Sequence, residues 1–345
     1  MTTSPTNPCG LRGIAFVEVA SADPAALHDL LVGFGFSRTM RHARRAIDLS
    51  AQGEMVFLLN REPDGVAGRF RAQHGPSISA MGWRTVDGQQ ARAIAVTRGA
   101  RAVDGELERG GIPTPAVAGI GDSLLYLVDD GDTWAALGFV AHDQPVRVPD
   151  KGFVAIDHLT NNVYKGTMAT WAAFYKDVFG FTEVRYFDIR GVMTGLTSYA
   201  LRSPCGTFAI PINEADEARS QINEYLDEYH GPGIQHLAFL TRDILASLRA
   251  LEGAPISFLD IDDEYYATVF DRVPEVVEDR AELRQRNVLI DGDERGYLLQ
   301  IFTKNLIGPI FVEIIQRAGH DSFGEGNFGA LFRSIERDQV KRGYL

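Results

Sequence analysis

The chain has 345 residues, 45% of them hydrophobic and 23% charged, with 34 Lys and Arg against 46 Asp and Glu for a net charge of −12. A chain this long buries roughly three quarters of its extended surface, enough for one very large domain or two ordinary ones. The acidic balance excludes a nucleic-acid partner, whose phosphate backbone demands a surplus of Lys and Arg.

In chain order, the opening MTTSPTNP lacks the basic start and apolar run of a secretory signal and is expected to be a frayed tail. From Gly10 to His42 a short apolar strand, a polar break and an amphipathic helix lead to Phe34-Gly35-Phe36. The same order returns from Gly152 to Phe187, with Phe179-Gly180-Phe181 at the matching place. The glycine of each phrase fits a left-handed helix cap before a new strand. A shorter echo starts at Gly233. Strands are predicted at Leu124–Val128, Thr207–Ile212 and Ile310–Ile315, each bounded by Gly, Pro or Asp. These repeats predict an α+β fold of duplicated βαβββ modules, two per half, whose sheets curve around a central space. The polar, proline-bearing stretch Phe139–Lys151 marks the boundary, giving halves 1–145 and 146–345. At the far end Phe328, Leu331, Phe332 and Ile335 recur at helical spacing, so a terminal amphipathic helix is expected to pack on the second half.

Two cysteines, Cys9 and Cys205, cannot build a disulfide framework or a paired-cysteine metal knuckle. No window holds the roughly 18 consecutive apolar residues of a membrane-spanning helix, so a soluble, cytoplasmic protein is expected. Three motifs carry no chemistry. Gly324, Gly326 and Gly329 match GxGxxG, but the chain ends before a βαβ unit can follow. Asp260, Asp262, Asp263 and Glu264 lack the loop glycine of a calcium site and read as a solvated acidic turn. Cys205, between Pro204 and Gly206, reads as a turn thiol, and Cys9 as a surface one.

Of eight histidines, His158 and His236 occupy equivalent places in the first strands of two modules, so pseudo-symmetry aims both at one cavity. Glu313 sits in GPIFVEIIQR, where a buried carboxylate is costly unless it is paired or bound to metal. A salt bridge to Arg317 is the simpler account of it. The spacings favour metal: 78 residues separate His158 from His236, and 77 separate His236 from Glu313, one module each. Two imidazoles and a carboxylate on three strands form the facial triad of non-haem Fe(II) oxygenases, although zinc accepts the same set. In the first half Phe16 aligns with His158, so that half is expected to lack a metal site and to serve structure or assembly.

The strings SPCGTFAIPINE, SQINEYLDEYHGPGIQH, LLQIFTKNLIGPIFVEIIQR and FGEGNFGALFRSIERDQVKRG closely resemble the 4-hydroxyphenylpyruvate dioxygenase family. The resemblance is strongest over Lys151–Gly343 and looser before it. It implies a vicinal-oxygen-chelate fold, Fe(II) held by His158, His236 and Glu313, and a reaction taking 4-hydroxyphenylpyruvate and O2 to homogentisate and CO2. Oxidative decarboxylation, ring hydroxylation and side-chain migration would place the enzyme in tyrosine and phenylalanine catabolism, as a homodimer or homotetramer. The resemblance further implies that Gln221, Gln235, Gln300, Asn213 and Ser198 line the polar part of the cavity. Gln235 neighbours His236, so strand alternation sends it to the opposite face unless a bulge intervenes. Phe302 and Phe328 would sandwich the substrate ring, with Phe311 and Phe323 as an apolar wall and Pro211 and Asn327 also at the substrate. A hinge at Phe323–Asn327 would let the terminal helix act as a lid. The nearest alternative is 4-hydroxymandelate synthase, which shares substrate and metal, and Pro211, Asn213 and Phe302 favour the dioxygenase pattern. A metal-free binding or resistance protein and a zinc isomerase of glyoxalase type are the other readings of this fold.

Overall fold

Alternating apolar residues become strands of two eight-stranded sheets in a computed structural model, which describes residues 4, 6–104, 111–190, 195–215, 217 and 219–344, with 187–190 described by backbone alone. The first sheet holds β1 (Leu11–Ala20), β2 (Ser37–His42), β3 (Ile47–Gln52), β4 (Met55–Asn60), β5 (Ser77–Thr85), β6 (Ala116–Ala118), β7 (Leu124–Asp129) and β8 (Phe139–Val146). Their spatial order is β6-β7-β5-β1-β4-β3-β2-β8. The second sheet holds β9 (Phe153–Asn162), β10 (Thr182–Arg190), β11 (Gly195–Arg202), β12 (Ala209–Ala215), β13 (Gly233–Thr241), β14 (Leu289–Asp293), β15 (Gly296–Phe302) and β16 (Phe311–Ala318). Its order, β10-β11-β12-β9-β13-β16-β15-β14, is two complete modules joined between β9 and β13. The duplicated α+β fold is therefore as the sequence repeats predict.

Two details differ from that expectation. Most of the stretch Phe139–Lys151 is strand β8, which pairs with β2 at the sheet edge, so the connection between the halves is shorter. Pro145 is tolerated because an edge strand leaves one row of backbone groups unpaired. The opening tail is also anchored from Thr6 onward. Asn7 exchanges hydrogen bonds with Leu11, and Pro8 and Cys9 are buried. Residues 1–3 and 5 of that tail lie outside the described residues. Cys9 is no surface thiol, because its Sγ lies 3.6 Å from the Ala91 carbonyl and 3.8 Å from that of Val178, one in each half.

The repeated Phe-Gly-Phe phrases explain how the halves join. Gly35 and Gly180 both adopt left-handed backbone (φ 88° and 81°), and a Cβ on Gly180 would meet the Thr6 carbonyl and Pro8. Phe34 and Phe36 of the first half pack edge-on against Phe239 of β13, with centroids 5.5 and 5.9 Å away. Reciprocally, Phe179 and Phe181 of the second half pack against Trp83 of β5 at 5.0 and 5.8 Å. Trp83 pairs with Ile14, and Phe239 with Ile156, at matching places in the two sheets. The interface is thus a pseudo-twofold exchange of corners, and one apolar cluster runs through both halves.

The opposite face of the first sheet closes on a core of its own. There Phe16 pairs with Gly82 as His158 pairs with Ala238, so Phe16 stands at the register of His158, as the sequence alignment predicts. Its ring needs the glycine, since a Cβ on Gly82 would lie 2.2 Å from it. By the same register Ala80 stands for His236 and Tyr126 for Glu313. A buried carboxylate, Glu18, lies on β1 two residues past Phe16. Glu18 is 1% exposed, and burial raises its pKa to about 7 against hydrogen bonds donated by Ser79 and Asn60.

The folded chain therefore holds the Glu18 proton more tightly than the unfolded chain, whose carboxyl titrates near 4.5. Stability should fall as pH rises from about 4.5 to about 7, by up to about 3 kcal/mol, and then level off. Urea titrations across that range test this, and Glu18→Gln should flatten the slope.

Candidate metal centre

The central strands of the second sheet deliver three donors to one point. His158 on β9 pairs with Ala238 on β13, and Ala238 pairs with Glu313 on β16, so the two strands flanking β13 carry this imidazole and the carboxylate at the same register. His236 enters two residues before Ala238, on the same face. His158 Nε2 lies 3.2 Å and His236 Nε2 3.6 Å from Glu313 Oε2, and all three donors fall within 4.8 Å of one another. Two ligands each about 2.1 Å from a metal at a right angle stand about 3 Å apart, so the pocket is the size of a coordination shell. Among the described residues this is the cluster of three or more His, Cys, Asp or Glu able to hold a metal.

The electrostatics agree. Glu313 is 1% exposed, and its neighbours within ion-pair distance are the two imidazoles. Arg317, the simpler partner considered from sequence, instead pairs with Asp157 through Nε and Nη2, each 2.8 Å from a carboxylate oxygen. Burial alone would lower the pKa of His158, but Glu313 and Asp157 outweigh it and raise it to about 9. Burial and the charge of His158 push His236 well down. A cation held among the three donors would balance the buried Glu313 charge that raises His158.

The other predicted residues divide. Ser198, Pro211, Asn213, Gln221, Gln235, Phe302, Phe311, Phe323 and Phe328 line one cavity together with the three donors. Gln235 reaches it because β13 carries a bulge there: Ile234 pairs with Asn161 and His236 with Thr160, leaving Gln235 as the extra residue. Its Oε1 lies 3.1 Å from His236 Nδ1, so it orients the imidazole as well. Gln221 opens a helix (Gln221–Tyr229) capped by Ser220, whose Oγ accepts from the Asn223 amide.

Gln300 and Asn327 do not line the cavity. Gln300 donates to Glu313 Oε1 at 2.9 Å and to the Phe323 carbonyl at 3.1 Å, while its Oε1 accepts from Asn327 Nδ2 at 3.0 Å. Asn327 in turn accepts from the Tyr265 hydroxyl. The amide of Gln300 is thus spent on holding the carboxylate, and Asn327 on holding Gln300. Gly324 is left-handed (φ 80°), and any side chain there would strike Gln300, which explains the glycine that mimics a nucleotide motif.

The sequence reading missed several groups. Thr160 and Leu196 line the cavity, as do Leu331, Phe332 and Ile335 of the terminal helix (Phe328–Arg342). The expected hinge before that helix is tied down: Gly326 donates to Asp291, and Arg272 donates to the Gly326 carbonyl. The acidic turn is not simply solvated either. Asp262 pairs with Arg333 and Arg337, and the Asp260 carbonyl accepts from Ser334 and Arg337, so the turn anchors the helix. Cys205 does sit in a turn, its Sγ 3.3 and 3.2 Å from the hydroxyls of Ser203 and Thr207.

Comparison with known proteins decides the family. Residues 5–138 match the family described as hydroxyphenylpyruvate dioxygenase, N-terminal, and residues 155–284 match the glyoxalase, bleomycin resistance protein and dioxygenase superfamily. The chain is 44% identical to the 4-hydroxyphenylpyruvate dioxygenase of Legionella pneumophila (strain Philadelphia 1), covering 98% of each chain. The chain belongs to the 4-hydroxyphenylpyruvate dioxygenase family. It is also 55% identical to protein MelA of Shewanella colwelliana over 99% of both chains. A mutant of 4-hydroxymandelate synthase from Streptomyces coelicolor shares the fold at 28% identity, with a TM-score of 0.81, 95% of this chain and 99% of that one covered. Membership of the dioxygenase family makes the protein an enzyme, and its three-donor cluster is a group that could hold a metal ion. No described helix is long and apolar enough to cross a membrane.

Glu313→Gln keeps volume but removes the only negative charge among the three donors. Metal analysis after Fe(II) or Co(II) loading should fall from about one ion per chain to near zero, and the metal-induced rise in melting temperature should vanish.

Proposed function

We propose that the enzyme converts 4-hydroxyphenylpyruvate and O2 to homogentisate and CO2, with Fe(II) held by His158, His236 and Glu313. The observation that carries this reading is the charge pattern of the cavity. Among the described residues its lining offers hydroxyls, amides and aromatic rings around one carboxylate and two imidazoles, and no Lys or Arg. An anionic 2-oxoacid entering beside Glu313 needs a cation, and the three donors supply the place for one. Bound there, iron would activate O2 and chelate the 2-oxoacid group, while decarboxylation of that group supplies electrons, so no second 2-oxoacid is consumed.

The chain's own part is positioning and exclusion of water. Gln221, Gln235, Asn213 and Ser198 meet the phenol and the polar end of the substrate through neutral hydrogen bonds. Phe302 and Phe328 hold its ring, and Phe311 and Phe323 form the apolar wall, with Pro211 shaping the floor. Leu331, Phe332 and Ile335 cover the cavity from the terminal helix, which serves as its lid. Gln300 and Asn327 support Glu313 from behind. On this reading the protein acts in tyrosine and phenylalanine catabolism in the cytoplasm, as a homodimer or homotetramer. Residues 1–145 serve structure and assembly, and 146–345 catalysis.

Oxygen uptake with Fe(II) and 4-hydroxyphenylpyruvate, with the product identified by chromatography, tests the proposal. One O2 consumed per CO2 released, with homogentisate as product, is expected. 4-Hydroxymandelate would move the assignment to the synthase, and absence of uptake with iron bound would overturn the substrate. Gln221→Ala should raise KM by up to about tenfold, the worth of one neutral hydrogen bond, with metal content unchanged.

A further inference from the structure

The cavity is reached by two β-bulges, and both fall next to a histidine. On β13 the extra residue is Gln235, beside His236. On β9 it is Asp157, because Ala238 pairs with His158 and the next residue, Phe239, with Ile156. A bulge turns a side chain away from strict alternation, and here each turned side chain meets the Nδ1 of the neighbouring imidazole. Asp157 Oδ2 lies 2.8 Å from His158 Nδ1. Its carboxylate accepts from Nε and Nη2 of Arg317, and Nη1 of the same guanidinium donates to the carbonyls of His320 at 3.0 Å and Ser322 at 2.6 Å. Those carbonyls lead directly into Phe323, whose ring meets the His158 ring edge-on at 5.4 Å.

We propose that Asp157 and Arg317 are a positioning pair that fixes His158 with Nε2 toward the metal and ties that ligand to the loop carrying Phe323. A carboxyl group whose two oxygens accept from Arg317 meets Nδ1 as an acceptor, so the proton of a neutral His158 sits on Nδ1 and the lone pair on Nε2. Carboxylates behind metal-bound histidines act in this way, and their loss typically weakens metal affinity 10- to 100-fold. The first half shows that the bulge alone is not the device. Its β1 carries the same bulge, at Ala15, with no acid in it and with Phe16 where His158 stands.

The inference rests on His158 being a metal ligand, and Co(II) titration of the full chain separates the two questions. Wild type should bind one Co(II) with a visible spectrum; failure to do so would sink the ligand assignment itself. With wild type binding, Asp157→Asn should weaken the Co(II) Kd at least tenfold and shift that spectrum. Arg317→Met, and the double variant Asp157→Leu with Arg317→Met, which leaves no unpaired buried charge, should lose affinity to a similar extent rather than additively. The melting temperature of each metal-free variant identifies loss that is merely structural. Unchanged Kd and spectrum in folded Asp157→Asn would overturn the proposal, as would additive losses in the double variant.

Discussion

Glu313 is almost wholly cut off from water, and a carboxylate in that position costs several kcal/mol unless its lone pairs are met. The second half is arranged to meet them. Two imidazoles face one oxygen at 3.2 and 3.6 Å, and the Gln300 amide donates to the other at 2.9 Å. Each group has its own support, with Asp157 behind His158, Gln235 behind His236, and Asn327 behind Gln300. Because Gln300 also holds the Phe323 carbonyl, the carboxylate and the segment covering it are fixed by one side chain. The site and its cover are therefore mechanically a single unit.

The two halves share strands and bulges but not chemistry, and the difference lies in a few positions. Bulges occur at Ala15 and Ser79 in the first half, and at Asp157 and Gln235 in the second. Where the second half has two histidines and a glutamate, the first has Phe16, Ala80 and Tyr126, whose rings pack with centroids 5.7 Å apart in the case of Phe16 and Tyr126. Gly82 makes the room for Phe16. An apolar plug thus occupies, at the same strand register, the positions that carry the donors in the second half. Glu18, buried two residues past Phe16 on the same strand, accepts from the neutral donors Ser79 and Asn60, and burial raises its pKa against them.

The triad is legible from sequence because module spacing maps onto strand pairing: equal periods put equal registers side by side. The terminal helix is legible for a similar reason, since four apolar residues at helical spacing needed an apolar surface. What sequence does not show is where a strand gains a residue. Strict alternation would send Gln235 to the opposite face; the bulge that the sequence reading allowed for brings it into the cavity, while the bulge at Asp157 went unremarked because no residue type announces one. The family resemblance in turn gave Gln300 and Asn327 the same standing as true lining residues. Only the spatial network shows that their amides are already engaged. The acidic turn at Asp260 and Asp262 read as solvent-facing because its arginine partners lie more than 70 residues away in the chain.

The plugged half still bears on the metal centre through β13. Side chains alternate along that strand, so His236 and Ala238 face the cavity while Phe239 faces away. Phe239 is where Phe34, Phe36 and Phe57 of the first half and Phe153 of the second converge, all with centroids within 6.0 Å. The first half therefore braces, from behind, the strand that presents one of the three donors. Loss of that aromatic packing would cost about 3–5 kcal/mol for a single large-to-small change and would be felt three residues from a ligand. The aromatic packing contributed by the first half thus holds the middle strand of the three-donor group from the face opposite the cavity.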